Sequence, residues 1–387
     1  MKQTASIIST YAADVSGVCS ALYELGGMTV IHDPSGCNST YNTHDEPRWY
    51  DQDSMVFISG LSEMEAIMGD DEKLIGDMVT AAQQLHPRFI ALTGSPVPMI
   101  IGTDFSAIAS VVQHRTGIPC FGFFTNGMHS YLSGAGMAFE AVAKHLVEPA
   151  APGAPKEGVN LLGVTPLDFT VNGSVQSMRR WLGENGFAVK SCWAMGSSLE
   201  ELTQAGSAAV NLVVSQSGWK AAQALRETFG TPFVVGTPIG SHAAVLAGLL
   251  RKAAQTGECF TSVSREMTGP AAIAVIGEGV YSASLAGALQ QRLGKPVRVL
   301  CPLEVQPEFL APQDAVAPDE DDLTLALADA AVVVADPLYR PICPSDSTFV
   351  PLPHEAFSGR IYRSEIPDLT DKQFDRWASN WFKEEKK

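Results

Sequence analysis

The chain has 387 residues, 45% of them hydrophobic, and a formal net charge of -16. That length suits two or three domains with sizeable cores. The acidic balance argues against a nucleic-acid binder, because phosphate neutralisation needs clustered Lys and Arg. No run of roughly 18 apolar residues occurs, so no transmembrane helix is expected. The N-terminus, MKQTASIISTYAADVSG, lacks the apolar core of a signal peptide. Cys19, Cys37, Cys120, Cys192, Cys259, Cys301 and Cys343 are scattered, odd in number and form no CxxC. This usage fits a reducing cytoplasm rather than a disulfide framework, with most thiols expected as small buried hydrophobes.

In chain order, short runs rich in Val, Ile and Phe alternate with amphipathic stretches of helical length. The first third predicts strands at 28–33 (MTVIHD), 54–59, 88–94 and 119–125, with helices over 15–26, 62–84, 103–116 and 131–147. The Pro/Gly/Ala-rich segment 148–158 reads as a linker. A second set of strands falls at 159–166, 187–194, 209–216 and 232–238, with helices near 173–185, 218–229 and 240–256. A third set falls at 271–279, 296–302, 330–337 and 347–353, and PDEDD at 318–322 reads as an acidic helix start. The tail reads as one amphipathic helix. Near-continuous apolar strands alternating with helices predict parallel sheets covered on both faces. The expected fold is therefore α/β, with three Rossmann-like domains (1–150, 151–268 and 269–367) and a C-terminal helix (368–387).

In such folds ligands sit beyond the carboxyl ends of strands. Cys37 follows MTVIHD and a Pro-Ser-Gly turn, in a loop with His44 and Asp45. On residue chemistry alone Cys37 is a metal ligand, a nucleophile or an incidental loop thiol. His32 reads as a local hydrogen-bonding group beside the Asp33-Pro34 turn. The GEG at 277–279 opens a helix, but Ser282 replaces the third glycine of a dinucleotide fingerprint, so it reads as a tight turn into a packed helix. No P-loop, no G-x-S-x-G and no paired HxH or HxxxH is present.

Four stretches carry a resemblance. They are YAADVSGVCSALYELGGMTVIHDPSGC, SGLSEMEAIMGDDEKL, RFIALTGSPVPMIIGTDF and AAVNLVVSQSGWKAAQALRETFGTPFVVGTPIG. Together they resemble the component 1 family of nitrogenase and nitrogenase-like reductases, including its H-x-P-x-G-C turn. The resemblance implies three Rossmann-like domains around a cleft and electrons from a separate ATP-dependent iron–sulfur protein. It also implies a [4Fe–4S] cluster at the interface with a related subunit. Of the family's three first-domain cysteines only Cys37 is matched; Val56 and Pro96 occupy the other positions, and neither binds iron. The position of the active-site cofactor cysteine falls at Ser215 and Gln216, which argues against a nitrogenase-type cofactor. LPHEAFSG is similar to the cofactor-histidine segment and makes His354 a pocket residue.

The resemblance thus implies the single-ligand partner type, as in dark-operative protochlorophyllide reductase. Cys37 is the metal ligand, with Gly36 and Asp45 beside the cofactor, and the other ligands come from a cysteine-richer subunit. His354, His44 and Ser215 are the catalytic candidates for a small-molecule substrate. Two alternatives stand beside this reductase: a scaffold for metallocofactor assembly, and a small-molecule binding protein that closes around its cleft. No nucleic acid and no membrane are expected as partners, and the cytoplasm is the expected location.

Overall fold

The computed structural model describes residues 7, 11–34, 41, 45–262 and 270–382. Among these, fourteen strands form three sheets. In the first, β1 (Met28–His32), β2 (Met55–Ile58), β3 (Ile90–Gly94) and β4 (Cys120–Gly122) run in the order β2-β1-β3-β4. The second holds β5 (Val159–Leu162), β6 (Val189–Cys192), β7 (Val210–Val213), β8 (Phe233–Val235) and β9 (Phe260–Thr261), ordered β6-β5-β7-β8-β9. The third holds β10 (Ile273–Ile276), β11 (Val297–Cys301), β12 (Ala315–Val316), β13 (Val332–Ala335) and β14 (Thr348–Pro351), ordered β12-β11-β10-β13-β14.

Every strand pair in the three sheets is parallel. Helices cover the faces, so the central strands β1, β3, β5, β7 and β10 are buried along their whole length. This is the α/β, three-unit Rossmann-like architecture expected from the continuous apolar runs. Each sheet reverses its winding once: between β1 and β3, between β5 and β7, and between β10 and β13. These reversals open crevices at the carboxyl ends of the strands.

Several elements differ from the expected boundaries. The stretch 62–84 forms two helices, Glu63–Met68 and Glu72–Leu85, because Gly69 ends the first in the left-handed conformation. Pro96–Ile101 forms an additional short helix, opened by the Pro at its first turn. The C-terminal helix is Gln373–Trp381, and its Phe374 and Trp377 pack with Ile239, Val275 and Leu285 against the third sheet. No helix among the described residues is long and apolar enough to cross a membrane.

Candidate functional site

The three units meet at one carboxylate. After β5 the chain turns at Gly163 and enters the short helix Pro166–Phe169, which Thr165 caps by accepting Asp168 N–H. Only glycine fits at 163: φ is +87°, and an added Cβ would lie 2.8 Å from Gly218 N and 3.0 Å from Ser215 O. This close approach lays the end of β5 on the end of β7 and brings Asp168 to Ser215. Ser215 Oγ donates to Asp168 Oδ2 at 2.7 Å, and Thr165 Oγ1 donates to the same oxygen at 2.8 Å. From the first unit, Tyr131 O–H donates to Asp168 Oδ1 at 2.6 Å. From the third unit, His354 Nε2 faces Oδ1 at 3.8 Å, beyond hydrogen-bond length.

His354 caps the helix Glu355–Ser358 by accepting Ala356 N–H at Nδ1. That bond assigns the ring proton to Nε2, so an N–H donor points into the crevice. Burial pushes the His354 pKa down to about 3, so the ring is neutral and forms no ion pair with Asp168 at neutral pH.

Glu278, between the two glycines of GEG, caps the helix Gly279–Leu293 through Val280 and Tyr281 N–H. It also accepts Gln216 N–H at 2.8 Å, which ties the third unit to the turn after β7. The tight-turn reading of GEG agrees with this packing, since a Cβ on Gly279 would lie 2.4 Å from Val305. Burial, and then the neighbouring Asp168 charge, push the Glu278 carboxyl upward. Burial likewise raises Asp168, against the opposing pull of the Tyr131, Ser215 and Thr165 hydroxyls. Asp168 and Glu278 thus flank a small cavity of about 30 Å³, with His354, Tyr281, Phe169 and Phe357 among its walls. Among the described residues its lining also holds Asp336 and no Lys or Arg. A buried acidic wall without a cationic side chain does not fit an anionic metal–sulfur cofactor of the nitrogenase active-site kind.

The candidates read from the sequence separate in space. His354 and Ser215 both come to Asp168. Cys37, Gly36 and His44 lie outside the described residues. Asp45 is described, and its Oδ2 accepts the Ser16 hydroxyl at 2.6 Å. His32 bonds Ser59 Oγ through Nδ1 at 2.8 Å, the local role expected of it. Val56 lies within β2 and Pro96 opens a helix. Among the described residues no group of three or more His, Cys, Asp or Glu is arranged to hold a metal. Asp168, Glu278 and Tyr131 were not singled out from the sequence. The nearest signal was the position of TPLDF and GEG just beyond strands that border a winding reversal.

Three doubly wound parallel sheets with a buried polar site where they meet define a multi-unit Rossmann-like α/β fold. The chain belongs to the nitrogenase component 1 type oxidoreductase family, whose model matches residues 17–301. It is 26% identical over 181 residues to a light-independent protochlorophyllide reductase chain of Nostoc punctiforme, covering 44% of this chain and 36% of that protein. It is 24% identical over 240 residues to the nitrogenase iron-molybdenum cofactor biosynthesis protein NifE of Clostridium pasteurianum, covering 60% of this chain and 51% of the relative. The chain therefore spans about half or less of the length of these relatives. A solved nitrogenase, "Nitrogenase Cp1 at pH 5", superposes with a TM-score of 0.56 at 17% identity, over 84% of this chain and 72% of that one. This last likeness is one of fold.

Proposed function

We propose that the chain is one subunit of a nitrogenase-like reductase, which receives electrons from an ATP-dependent iron–sulfur protein and reduces a small molecule in the crevice between its second and third units. The observation that carries this reading is the convergence of all three units on the buried Asp168, beside Glu278 and a neutral His354. Reductions of this kind consume protons with electrons, so the crevice needs groups that hold a proton near neutrality. Burial raises both carboxyls, and two carboxylates in one cavity resist simultaneous ionisation. His354 Nε2–H adds a neutral donor, and Tyr131 and Ser215 fix Asp168 in place. The cavity is small, so a substrate requires the crevice to widen.

The electron entry lies at the first sheet, where Cys37 follows β1. In this reading Cys37 is a ligand of a [4Fe–4S] cluster, and the set is completed by a related, cysteine-richer subunit. Bound there, the cluster supplies single electrons. Support for a partner at this end comes from exposed apolar side chains just beyond β2, β3 and β4: Ile67, Met68, Ile100 and Phe124. A scaffold role in cofactor assembly is the second reading, favoured by the 240-residue alignment with a cofactor biosynthesis protein.

Iron and sulfide analysis of the protein purified anaerobically with its co-purifying partner, with low-temperature EPR after reduction, tests the reading. About four irons per heterodimer and a reducible cubane signal are expected, lost in Cys37→Ser and kept in Cys192→Ser and Cys301→Ser, whose thiols are fully buried. Full iron in Cys37→Ser would remove the cluster assignment. A cluster that transfers to an acceptor protein without redox turnover would favour the scaffold.

A further inference from the structure

A second cavity, of about 480 Å³, opens between the first and second units. Asp168 and Phe169 line the small acidic cavity, and Thr170 and Val171, next in the chain, line this larger one. Its chemistry is the reverse of its neighbour's. Among the described residues its lining holds one acid, Glu24, and two arginines, Arg48 and Arg179. Glu24 and Arg48 are fully engaged inside the fold. Glu24 accepts from Arg48 at 2.9 Å and from Gly196 N–H at 2.9 Å. Arg48 gives all five of its N–H groups to Glu24, Glu46, Ser20 O and Ala194 O. Arg179 donates once, to Gly196 O at 2.8 Å, and the rest of its fork has no acceptor among the described residues. The described lining thus keeps one guanidinium without a counter-charge.

Apolar side chains share this lining: Val175 and Met195 are buried, and Val171 is 50% exposed. The backbone here is also strained. Thr170 holds φ at +44°, and Ala194, next to Met195, holds φ at +97°. A β-branched residue in that region is a steric outlier, and such strain collects at ligand clamps. The Thr170 hydroxyl is fixed on Glu355 at 2.7 Å, and Arg363 holds Glu355 in turn.

A free guanidinium in a cavity with apolar walls selects a ligand with one negative head and an apolar body. A carboxylate meets the planar fork with two parallel hydrogen bonds. A dianionic phosphate would leave a second charge without a partner. We propose that the cavity between the first and second units binds a small organic monocarboxylate. Arg179 anchors the head group, and Val171, Val175 and Met195 seat the hydrocarbon part. The site is separate from the crevice at Asp168, whose acidic wall has no cation to receive this ligand.

Isothermal titration calorimetry of the full-length chain with hexanoate, hexan-1-ol and inorganic phosphate tests the site, with far-UV circular dichroism and a melting temperature for each variant. Wild type binds hexanoate saturably, and binds hexan-1-ol and inorganic phosphate roughly tenfold or more weaker. Arg179→Gln keeps a donor for Gly196 O but loses the charge. It weakens hexanoate roughly tenfold or more and leaves hexan-1-ol unchanged. Arg179→Lys retains the charge without the fork and falls between the two. Val171→Trp fills the cavity from a half-exposed position and abolishes hexanoate binding at an unchanged melting temperature. Arg180→Gln, on the same helix but exposed and outside the described lining, binds as wild type does. Hexanoate binding of wild-type strength in Arg179→Gln or in Val171→Trp would overturn the site. So would tighter binding of inorganic phosphate than of hexanoate, or the absence of saturable hexanoate binding. The titration needs neither a cluster nor a partner, so its failure leaves the reductase reading standing.

Discussion

His354 is the residue where protonation and packing are most tightly joined. Its pKa in the fold is about 3, pushed down by burial, against an ordinary value near 6.5. The unfolded chain therefore binds a proton that the folded chain refuses, and stability falls as pH drops below 6.5 toward 3. From about pH 7.5 to about pH 5 this one group accounts for a loss of about 2 kcal/mol. Asp168 and Glu278 act in the opposite sense: their raised carboxyls favour the protonated fold, so their contribution to stability weakens as pH rises above the ordinary carboxylate range. His354→Asn separates the two, because Asn retains a capping oxygen for Glu355–Ser358 and does not titrate. Urea unfolding at the two pH values should show wild type losing about 2 kcal/mol more than the variant; equal losses would mean that the ring is protonated in the fold. His354 and Ser215 were reachable from the sequence through the family's motif positions. Asp168 and Glu278 were not, because an acid between Leu and Phe or between two glycines looks like a turn residue until burial makes its proton unusual.

At the scale of elements, two helices are locked together by glycine. An added Cβ on Gly17 of Asp14–Leu22 would lie 2.0 Å from Tyr131 O, and one on Gly134 of Tyr131–His145 would lie 1.8 Å from Asp14 O. Backbone stands against backbone at both points, so neither side can yield without moving a helix. Tyr131 begins the second helix and its hydroxyl supports Asp168, so the contact also sets the crevice. Gly134→Ala should destabilise the protein by about 1–3 kcal/mol or more through overpacking. Gly136→Ala, on the same helix but with its nearest contact at 3.5 Å, should be neutral or stabilising by up to about 1 kcal/mol. Thermal unfolding of the pair decides this; equal melting temperatures would show that the helices separate freely. The sequence revealed the main strands because burial on both faces demands unbroken apolar runs. It hid the two-residue strands Phe260–Thr261 and Ala315–Val316, whose pairing comes from a neighbouring edge rather than from their own pattern. It also hid the break at Gly69, where one glycine divides a continuous helical periodicity.

Across the whole molecule, the units are joined by polar clasps, and several large apolar side chains stay exposed just after strands of the first sheet. Arg48, buried in the first unit, bonds Glu46 and Glu24 of that unit and Ala194 O of the second. Glu278 and Gln216 join the second unit to the third. With these contacts satisfied inside the chain, the exposed side chains Ile67 (72%), Ile100 (75%) and Phe124 (63%) stand out beyond the carboxyl end of the first sheet. They sit on the helices that follow β2 and β3 and just beyond β4, and large apolar groups exposed at the same end of a sheet suit a contact surface. Leu325 is as exposed, at 79%, but sits on the acidic helix Glu320–Leu327 of the third unit. Placing a charge at the centre of an apolar contact costs binding and leaves an exposed position of the free chain nearly unaffected. Ile67→Lys combined with Ile100→Lys should therefore weaken partner association roughly tenfold or more while leaving the melting temperature of the isolated chain unchanged. Leu325→Lys should do neither. Light scattering and titration of the tagged chain with its co-purified partner measure both effects. A double variant that still assembles with wild-type affinity would move the proposed partner surface away from the first sheet, and with it the proposed point of electron entry.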